Sequence, residues 1–232
     1  MSPFRKFIHQ IRIHRHEGVG IWAFRYYKRW KKSQVSNSMK DEMPWISLRA
    51  VDFLEKNIRS DFKVFEYGGG GSTLYWSTRV AEVVTVEHDA EWFKHLETSM
   101  QSRKNVKWNG CFVGPQTGDL SPNPDPADPD LFSSDDLASK GKNYKDYVLT
   151  VDNYPNEYFD VVLIDGRSRA SCLKYAFPKL KRGGWLILDN AERIYYTDLN
   201  TEIVNQMEMV VGGMCPGLFS VDFSETRIYR KK

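Results

Sequence analysis

The chain has 232 residues, of which 41% are hydrophobic and 27% charged, and its formal net charge is +3. That length fits one domain with a short appendage, and the composition is ordinary for a globular protein. No run of about 18 apolar residues and no secretory signal core occur, so we expect neither a membrane span nor export. Three scattered cysteines without metal-ligand spacing are typical of free thiols, and we expect a cytoplasmic location.

The charge is divided unevenly along the chain. Residues 1–40 carry ten basic side chains and Glu17 as their one acidic side chain, which gives +9, so residues 41–232 carry −6. An acidic body argues against a nucleic-acid partner, because phosphate contacts need a positive surface. The sequence therefore predicts a basic N-terminal arm with its linker at 1–40, and a larger domain at 41–232.

Two amphipathic helical patterns make up the arm. Each has apolar residues on one face, and Gly18–Gly20 separates the two sets: Phe4, Phe7, Ile8 and Ile11, then Val19, Trp22, Ala23, Tyr26 and Trp30. Basic residues cover much of the rest, as in segments that lie on an anionic membrane surface or contact a partner protein. The alternative is that both helices pack on their own domain. A polar stretch at 33–40 resembles a linker, and Pro44 suits the first turn of the next helix.

Beyond that helix, apolar strands alternate with helical patterns. Strands are predicted at Lys63–Tyr67, Val83–Glu87, Val106–Val113, Tyr158–Ile164, Trp185–Leu188, Leu218–Phe223 and Thr226–Tyr229. Helices are predicted at Thr73–Ala81, Ala90–Arg103, Cys172–Leu180 and Leu199–Val210. Apolar strands separated by helices indicate a parallel sheet covered on both faces, and the last two strands lie too close for a helical crossover. We therefore predict an α/β fold: a doubly wound, mainly parallel seven-stranded sheet with a terminal antiparallel strand, helices on both faces, and a basic helical N-terminal arm.

One segment interrupts this alternation. Residues 114–139 hold five of the ten prolines, six aspartates and no Lys or Arg, and they are longer than an ordinary connection. Such a composition argues against a buried element. Because the segment leaves the carboxyl end of the third predicted strand, it should hang over the edge where open α/β sheets bind ligands. It is either a lid that selects the substrate or a solvated insertion.

A glycine-rich turn follows the first predicted strand, with the sequence Glu66-Tyr67-Gly68-Gly69-Gly70-Gly71-Ser72. Glycines at this point let a ligand lie against bare backbone, and the missing GK[ST] argues against a P-loop. Glu66 is awkward beside a pyrophosphate but suits a ligand with a positive amino group. Glu87 ends the second strand about 20 residues later, where a carboxylate can accept both hydroxyls of a ribose, as in NAD-binding proteins. Together these features predict an adenosine-containing ligand.

These motifs, with the strand at 159–166 and the turn at 183–184, resemble those of class I S-adenosylmethionine-dependent methyltransferases over roughly residues 44–230. The resemblance implies S-adenosylmethionine as the cofactor. It places Glu66 and Gly68 near the methionine part, Gly70 and Ser72 near the turn, Glu87 on the ribose and His88 near the adenine. The full set of implied cofactor-binding residues is Glu66, Tyr67, Gly68, Gly70, Ser72, Glu87, His88 and Asp165.

The ends of the next two strands predict the catalytic residues, namely Asp165, Arg169, Asp189 and Asn190. Asp165 with Asp189-Asn190 resembles the metal-ligand set of cation-dependent O-methyltransferases, which implies a Mg²⁺ site. Those enzymes usually carry a lysine three residues after the first aspartate, and Ser168 stands at that position here. In the alternative without metal, Asp165 or Asp189 is a base or orients the acceptor. Arg169 then either holds an anionic substrate group or pairs with the aspartates.

The sequence thus predicts methyl transfer to a small-molecule or glycan acceptor, at oxygen, with no nucleic-acid partner. Two other functions are compatible with parts of the pattern. A nicotinamide-dependent oxidoreductase can use a similar sheet, although Glu66 and the terminal antiparallel strands disfavour it. A non-catalytic, methyltransferase-like binding module, recruited to a surface by the basic arm, would keep the cofactor site without turnover. No motif identifies the acceptor.

Overall fold

A computed structural model describes residues 1–103, 106–117 and 124–232. Its α-helices are α1 Pro3–Ile13, α2 Tyr27–Ser33, α3 Ser38–Asp41, α4 Leu48–Asn57, α5 Gly71–Ser77, α6 Ala90–Gln101, α7 Lys145–Leu149, α8 Arg169–Ala176, α9 Tyr195–Asp198 and α10 Thr201–Asn205. Its strands are β1 Lys63–Tyr67, β2 Glu82–Glu87, β3 Trp108–Phe112, β4 Gln116–Thr117, β5 Lys142–Asn143, β6 Phe159–Ile164, β7 Leu180–Asp189, β8 Met207–Val211, β9 Cys215–Pro216, β10 Phe223–Ser224 and β11 Thr226–Lys231. Short 3₁₀ turns lie at Arg15–Glu17, Ile21–Tyr26, Leu137–Ser139, Thr150–Asn153 and Phe177–Lys179.

Seven strands form one sheet in the order β3-β2-β1-β6-β7-β11-β8. Neighbouring strands from β3 to β7 are parallel, whereas β11 is antiparallel to both β7 and β8. The strand order reverses between β1 and β6, and ligands of open α/β sheets bind at such a point, beyond the carboxyl ends of the strands. The predicted doubly wound α/β fold is confirmed.

Two apolar cores cover the two faces of the sheet. Side chains alternate along each strand, so Val64 faces one core while Phe65 faces the other. Helices α1, α2, α4 and α5 pack on the first face, and α7 and α8 pack on the second. Burial on both faces explains why the strands are almost continuously apolar in sequence.

The N-terminal arm packs on the first face of the sheet. Phe7 and Trp30 are fully buried in its core, and the Phe7 ring lies 5.2 Å from that of Phe223. Arg29 pairs with Asp52 of α4 at 2.5 Å and with Glu55 at 3.2 Å. One side of the arm therefore packs on its own domain, which is one of the two interpretations given above.

The helix predicted at Leu199–Val210 is wrong in its second half. Helix α10 ends at Asn205, and Met207–Val211 forms β8, an edge strand paired with β11. The apolar residues of this stretch fit a helical period, but Val210 and Val211 are β-branched and β11 offers an unpaired edge. Tertiary pairing outweighs local periodicity here.

The strand predicted at Leu218–Phe223 is also wrong. Most of that stretch is a turn, and only Phe223–Ser224 forms a two-residue strand, paired with Cys215–Pro216. Phe219 has φ of +59°, which no strand accommodates, and the Ser220 carbonyl accepts hydrogen bonds from Trp30 and Gln34 of the arm. The predicted antiparallel pair is therefore β11 with β8, not two adjacent strands.

The helix expected to begin at Pro44 begins four residues later. Ser47 caps α4, because its hydroxyl accepts a hydrogen bond from the Ala50 amide at 3.4 Å. Pro44 instead lies buried in the preceding loop, so Trp45 precedes the helix. This shift brings Trp45 to the candidate site.

The insertion at 114–139 is partly packed on the body, which corrects the expectation that it forms no buried element. Phe132 is 7% exposed and lies against Tyr175, and Asp130 pairs with Lys174 of α8 at 2.7 Å. Residues 118–123 of the insertion lie outside the described residues. Its described part lines neither of the cavities discussed below. Within the ranges that the structure describes, no helix is both long enough and apolar enough to cross a membrane.

Candidate active site

The glycine-rich turn crosses the carboxyl ends of β1 and β2. Gly68 has φ of +85°, and a Cβ there would lie 3.0 Å from Gly166 at the end of β6, so only glycine fits without strain. The Gly68 amide donates to the Val86 carbonyl at 2.9 Å, and the Gly70 amide donates to the Thr73 hydroxyl at 3.0 Å. These bonds anchor the turn to β2 and to the first turn of α5.

A cavity of about 360 Å³ lies over this turn, within the range of roughly 300–1,000 Å³ that holds small molecules. We call it the glycine cavity. It is lined by Ser38, Trp45, Gly68, Gly69, Gly70, Gly71, Ser72, Glu87, His88, Asp89, Trp92, Asp165, Gly166 and Arg167. Six of the eight residues predicted to bind the cofactor are therefore brought to one cavity.

Glu87 lines the glycine cavity, and its carboxylate binds the backbone amides around it. It is 3% exposed, and it accepts hydrogen bonds from the amides of Gly69 at 3.0 Å, His88 at 2.7 Å and Asp89 at 2.9 Å. Burial raises the pKa of Glu87, but hydrogen bonding to His88 and to these amides outweighs it and holds the pKa below its usual value. An ionised carboxylate of this kind can still accept from a ligand hydroxyl, because its two oxygens offer about four acceptor positions.

Glu66 and Tyr67, the other two predicted residues, lie beneath the turn rather than in the cavity. Glu66 is fully buried, and one carboxylate oxygen accepts from the hydroxyls of Thr73 and of Thr85, the latter at 2.8 Å. The Tyr67 hydroxyl donates to the Val148 carbonyl at 2.8 Å. Glu66, expected near the methionine part, does not line the cavity: its carboxylate ties β1 to β2 and α5 and supports the turn from below.

The sequence reasoning missed several lining residues that come from outside the two motifs. Asp89 caps α6 and Trp92 lies in its first turn, where the indole N–H donates to the Gly69 carbonyl at 2.7 Å. Ser38 and Trp45 reach the cavity from the segment classed as linker and helix start. Their positions depend on how the arm packs, which no local pattern encodes.

A second cavity, of about 490 Å³, adjoins the first at the ends of β6 and β7. We call it the aspartate cavity. It is lined by Trp45, Asp165, Asp189, Asn190, Glu192, Arg193, Ser220, Asp222, Phe223 and Ser224. Among the described residues, Asp165 and Trp45 line both cavities. Three of the four predicted catalytic residues therefore face this space.

Arg169, the fourth, lies behind that wall. Its guanidinium is 3.0 Å from Asp165 and 3.6 Å from Asp189, and it also donates to the Gly166 carbonyl at 3.0 Å. Burial and the charge of Asp189 raise the pKa of Asp165 well above its usual value, against the opposing charge of Arg169. A carboxyl group with a raised pKa is suited to take up a proton during a reaction.

The residues at the predicted Mg²⁺ site do not fit a metal ion. The Arg169 guanidinium already compensates both carboxylates, at 3.0 Å from Asp165 and 3.6 Å from Asp189, so a divalent cation on these two side chains would have to displace it. Arg169 also pairs with aspartates rather than facing an anionic substrate group.

Comparisons with known proteins agree with the fold. No protein-family model and no curated protein match the chain. Among solved structures, it is similar to a methyltransferase-like protein from Silicibacter pomeroyi, at 19% identity and a TM-score of 0.51, over 79% of this chain and 86% of that one. It is also similar to a methyltransferase from Geobacter sulfurreducens, at 10% identity and a TM-score of 0.52, over 88% and 89% of the two chains. A provisionally assigned methyltransferase from Streptococcus mutans, solved with S-adenosylhomocysteine, has 10% identity and a TM-score of 0.52, over 79% and 96%.

At this level of identity the likeness establishes the fold. The chain has the Rossmann-like α/β fold found in class I methyltransferases, with seven strands and one antiparallel strand in the sheet. What the site does has to be argued from its own residues.

Proposed function

We propose that this protein is an S-adenosylmethionine-dependent methyltransferase that acts on a small-molecule or glycan acceptor. The observation that carries the proposal is the pair of adjoining cavities with Asp165 and Trp45 in their common wall. One cavity has the glycine backbone and the ribose-type carboxylate Glu87 that suit the donor. The other is open, polar and next to it, as an acceptor site must be.

The residues of the glycine cavity fit the donor. Glycines 68–71 leave room against the backbone, Glu87 offers acceptor positions for ribose hydroxyls, and Trp92 supplies an aromatic wall. The bound donor supplies a methyl group made electrophilic by its sulfonium charge. The chain holds the acceptor close and in line, which supplies most of the rate in such a transfer.

Asp165 is the group we propose to take the acceptor's proton. Its carboxyl group lines the aspartate cavity, and its raised pKa makes it a stronger base than an ordinary aspartate. Arg169 keeps that carboxyl in place from behind. A hydroxyl that passes its proton to Asp165 while its oxygen takes the methyl group fits this arrangement, so we propose oxygen as the acceptor atom.

The charge of the aspartate cavity supports an acceptor without phosphate groups. Four carboxylates line it against the single guanidinium of Arg193, with that of Arg169 behind the wall. Nucleic-acid phosphates need cationic partners, and this lining offers one guanidinium among the described residues. The proposal therefore keeps small molecules and glycans as the acceptor class.

Calorimetry with S-adenosylmethionine, S-adenosylhomocysteine and NAD tests the donor site. We expect the first two to bind and NAD not to bind. Tight NAD binding without any response to S-adenosylmethionine would establish the oxidoreductase alternative and refute the proposal. Saturable donor binding without S-adenosylhomocysteine release on glycans, catechol or RNA would favour the non-catalytic module, and release on RNA would overturn the acceptor class. We expect turnover to be unchanged by EDTA.

A pair of variants on one strand sharpens the binding test. Glu87→Gln should weaken both adenosyl ligands by about 10–100-fold, the value of a hydrogen bond to a charged group. Glu82→Gln is the matched control, because Glu82 begins the same strand and pairs with Lys107 at 2.8 Å, away from the cavity. Equal effects of the two substitutions would contradict the assignment of Glu87.

The exposed side of the arm supports a further contact. Phe4 and Ile21 are 52% and 86% exposed, and Arg5, Arg12 and Lys28 of the same arm are exposed as well. Basic residues mixed with exposed apolar ones suit an anionic membrane surface. We propose peripheral binding there, tested by sedimentation with phosphatidylserine vesicles. Phe4→Ser with Arg5→Gln should lower the bound fraction, and an unchanged fraction would refute this contact.

A further inference from the structure

Trp45 is the most conspicuous side chain at the junction of the two cavities. It is 55% exposed, although tryptophan is a residue type that proteins usually bury for the most part. It lines the glycine cavity and the aspartate cavity, and Asp165 alone among the other described lining residues does the same. A methyl group that passes from one cavity to the other must pass these two side chains.

The backbone on both sides of Trp45 is fixed. Before it, Pro44 is buried, and the Met43 amide donates to the Ser38 carbonyl at 3.1 Å. After it, Ile46 is 1% exposed and its carbonyl accepts from the Leu218 amide at 3.1 Å. The exposed indole is thus carried on a rigid loop rather than on a loose one. Such anchoring is what a binding residue needs in order to keep its position.

At the junction of the two cavities the Asp165 carboxylate is already paired with Arg169, so an aromatic side chain can be the group that attracts a ligand cation. The Arg169 guanidinium, 3.0 Å from Asp165, already compensates the carboxylate on the opposite side of the common wall. The reacting sulfur of the donor carries a positive charge before transfer and none after it. An aromatic face attracts a cation that lies within about 6 Å of it, and this electrostatic attraction is absent for a neutral thioether.

We propose that Trp45 recognises the sulfonium charge of the methyl donor, so that the site binds the charged donor in preference to the demethylated product. This inference rests on the proposed function. It explains how the site could distinguish S-adenosylmethionine from S-adenosylhomocysteine, which the glycine turn and Glu87 cannot do. Both ligands present the same ribose and amino acid groups to those residues. The charge at sulfur and the methyl group are what distinguish them.

Dissociation constants for S-adenosylmethionine and S-adenosylhomocysteine, measured by calorimetry on the full chain, test the inference. Trp45→Leu keeps an apolar side chain and removes the aromatic face. We expect it to weaken S-adenosylmethionine about tenfold and to leave S-adenosylhomocysteine within about twofold. Trp45→Phe should retain most of the preference.

Trp92→Leu is the matched control. Trp92 lines only the glycine cavity, at the first turn of α6, so its loss should weaken both ligands by the same factor. Equal weakening of both ligands by Trp45→Leu, or no effect on either, would overturn the inference while the proposed function stands. If the unaltered protein binds neither ligand, the proposed function itself fails, and the inference fails with it. Thermal unfolding midpoints of the variants separate loss of fold from loss of recognition.

Discussion

The two cavities are built in different ways. The glycine cavity takes most of its wall from one stretch, residues 68–92, which runs from the end of β1 through α5 and β2 into α6. The aspartate cavity takes its wall from four places: Trp45, Asp165, residues 189–193 and residues 220–224. A site made from one contiguous stretch can be predicted from the sequence. A site made from turns that are distant in sequence cannot, because its residues come together only when the chain folds.

The two cavities also differ in what holds them. Glycine backbone and amide donors to Glu87 shape the first, with one buried carboxyl group, Glu66, underneath. Charge pairing through Arg169 and packing by the N-terminal arm shape the second. Substitutions at the two cavities should therefore destabilise the protein for different reasons. At the aspartate cavity they remove the charge balance, and at the glycine cavity they disturb the backbone geometry.

Arg169→Met should have the largest effect. It leaves Asp165 and Asp189 next to each other without a counter-charge, and breaking a buried pair in this way costs about 3–5 kcal/mol of unfolding free energy. Urea unfolding at neutral pH measures it. Without the guanidinium both carboxyl pKa values rise further in the folded state. The folded state then binds more protons than the unfolded one, and the deficit should shrink as the pH falls.

The matched control for this variant is Arg182→Met. Arg182 is 81% exposed and lies 3.8 Å from Glu157, so its loss should change the free energy of unfolding by less than about 0.5 kcal/mol. If Arg169→Met were as mild as this control, the charge balance of the aspartate cavity would not depend on Arg169.

Glu66→Gln changes the carboxyl group beneath the glycine turn, and it should change how the free energy of unfolding depends on pH. Burial raises the pKa of Glu66 from 4.5 to about 7, against the hydrogen bonds from Thr73 and Thr85. Between those two pH values the folded state holds a proton that the unfolded state releases, so stability falls as the pH rises. Relative to the variant, the unaltered protein should lose roughly 3 kcal/mol over that interval.

Unfolding in urea across this pH range measures the difference, and the slope is more informative than the absolute stability. One Glu66 oxygen has no hydrogen-bond partner among the described residues, so a glutamine amide placed there would also lack one. This lowers the free energy of unfolding of the variant by the same amount at every pH. Glu97→Gln, on the exposed side of α6, is the control for substitution of a surface glutamate. Parallel pH profiles for Glu66→Gln and the unaltered protein would show that Glu66 is not the group that titrates.

Gly71→Ala should have the smallest of the three effects. A Cβ at Gly71 would overlap the carbonyl oxygens of Ser38 and Met43, so the segment over the glycine cavity has to move. Overpacking of this kind costs about 1–3 kcal/mol. Urea unfolding measures the cost, and calorimetry should show weaker binding of S-adenosylhomocysteine. Gly20→Ala is the control, since its nearest neighbour would be Trp22 at an ordinary 3.8 Å, and a cost equal to that of Gly71→Ala would contradict the overlap.

The sequence predicted the parts of the fold whose signals are local. Strand β1 and the glycine turn carry an apolar run and a run of glycines, and both lie where they were expected. Strand β8 was missed because its pairing partner β11 lies about 20 residues further on, and its apolar spacing also fits a helix. Glu66 was assigned to the ligand because sequence gives its position along the strand and not the neighbours, Thr73 and Thr85, that take up its carboxylate.

Helix α1 contacts the turn before β10 in the wall of the aspartate cavity. The Gln10 amide group of α1 donates to the Asp222 carboxylate at 2.9 Å and accepts from the Phe223 amide at 3.0 Å. Gln10 therefore holds both ends of the Asp222–Phe223 step through one side chain. With the aspartate cavity as the proposed acceptor site, acceptor preference would depend on α1 as well as on the strand ends, and replacing residues 1–40 should change that preference.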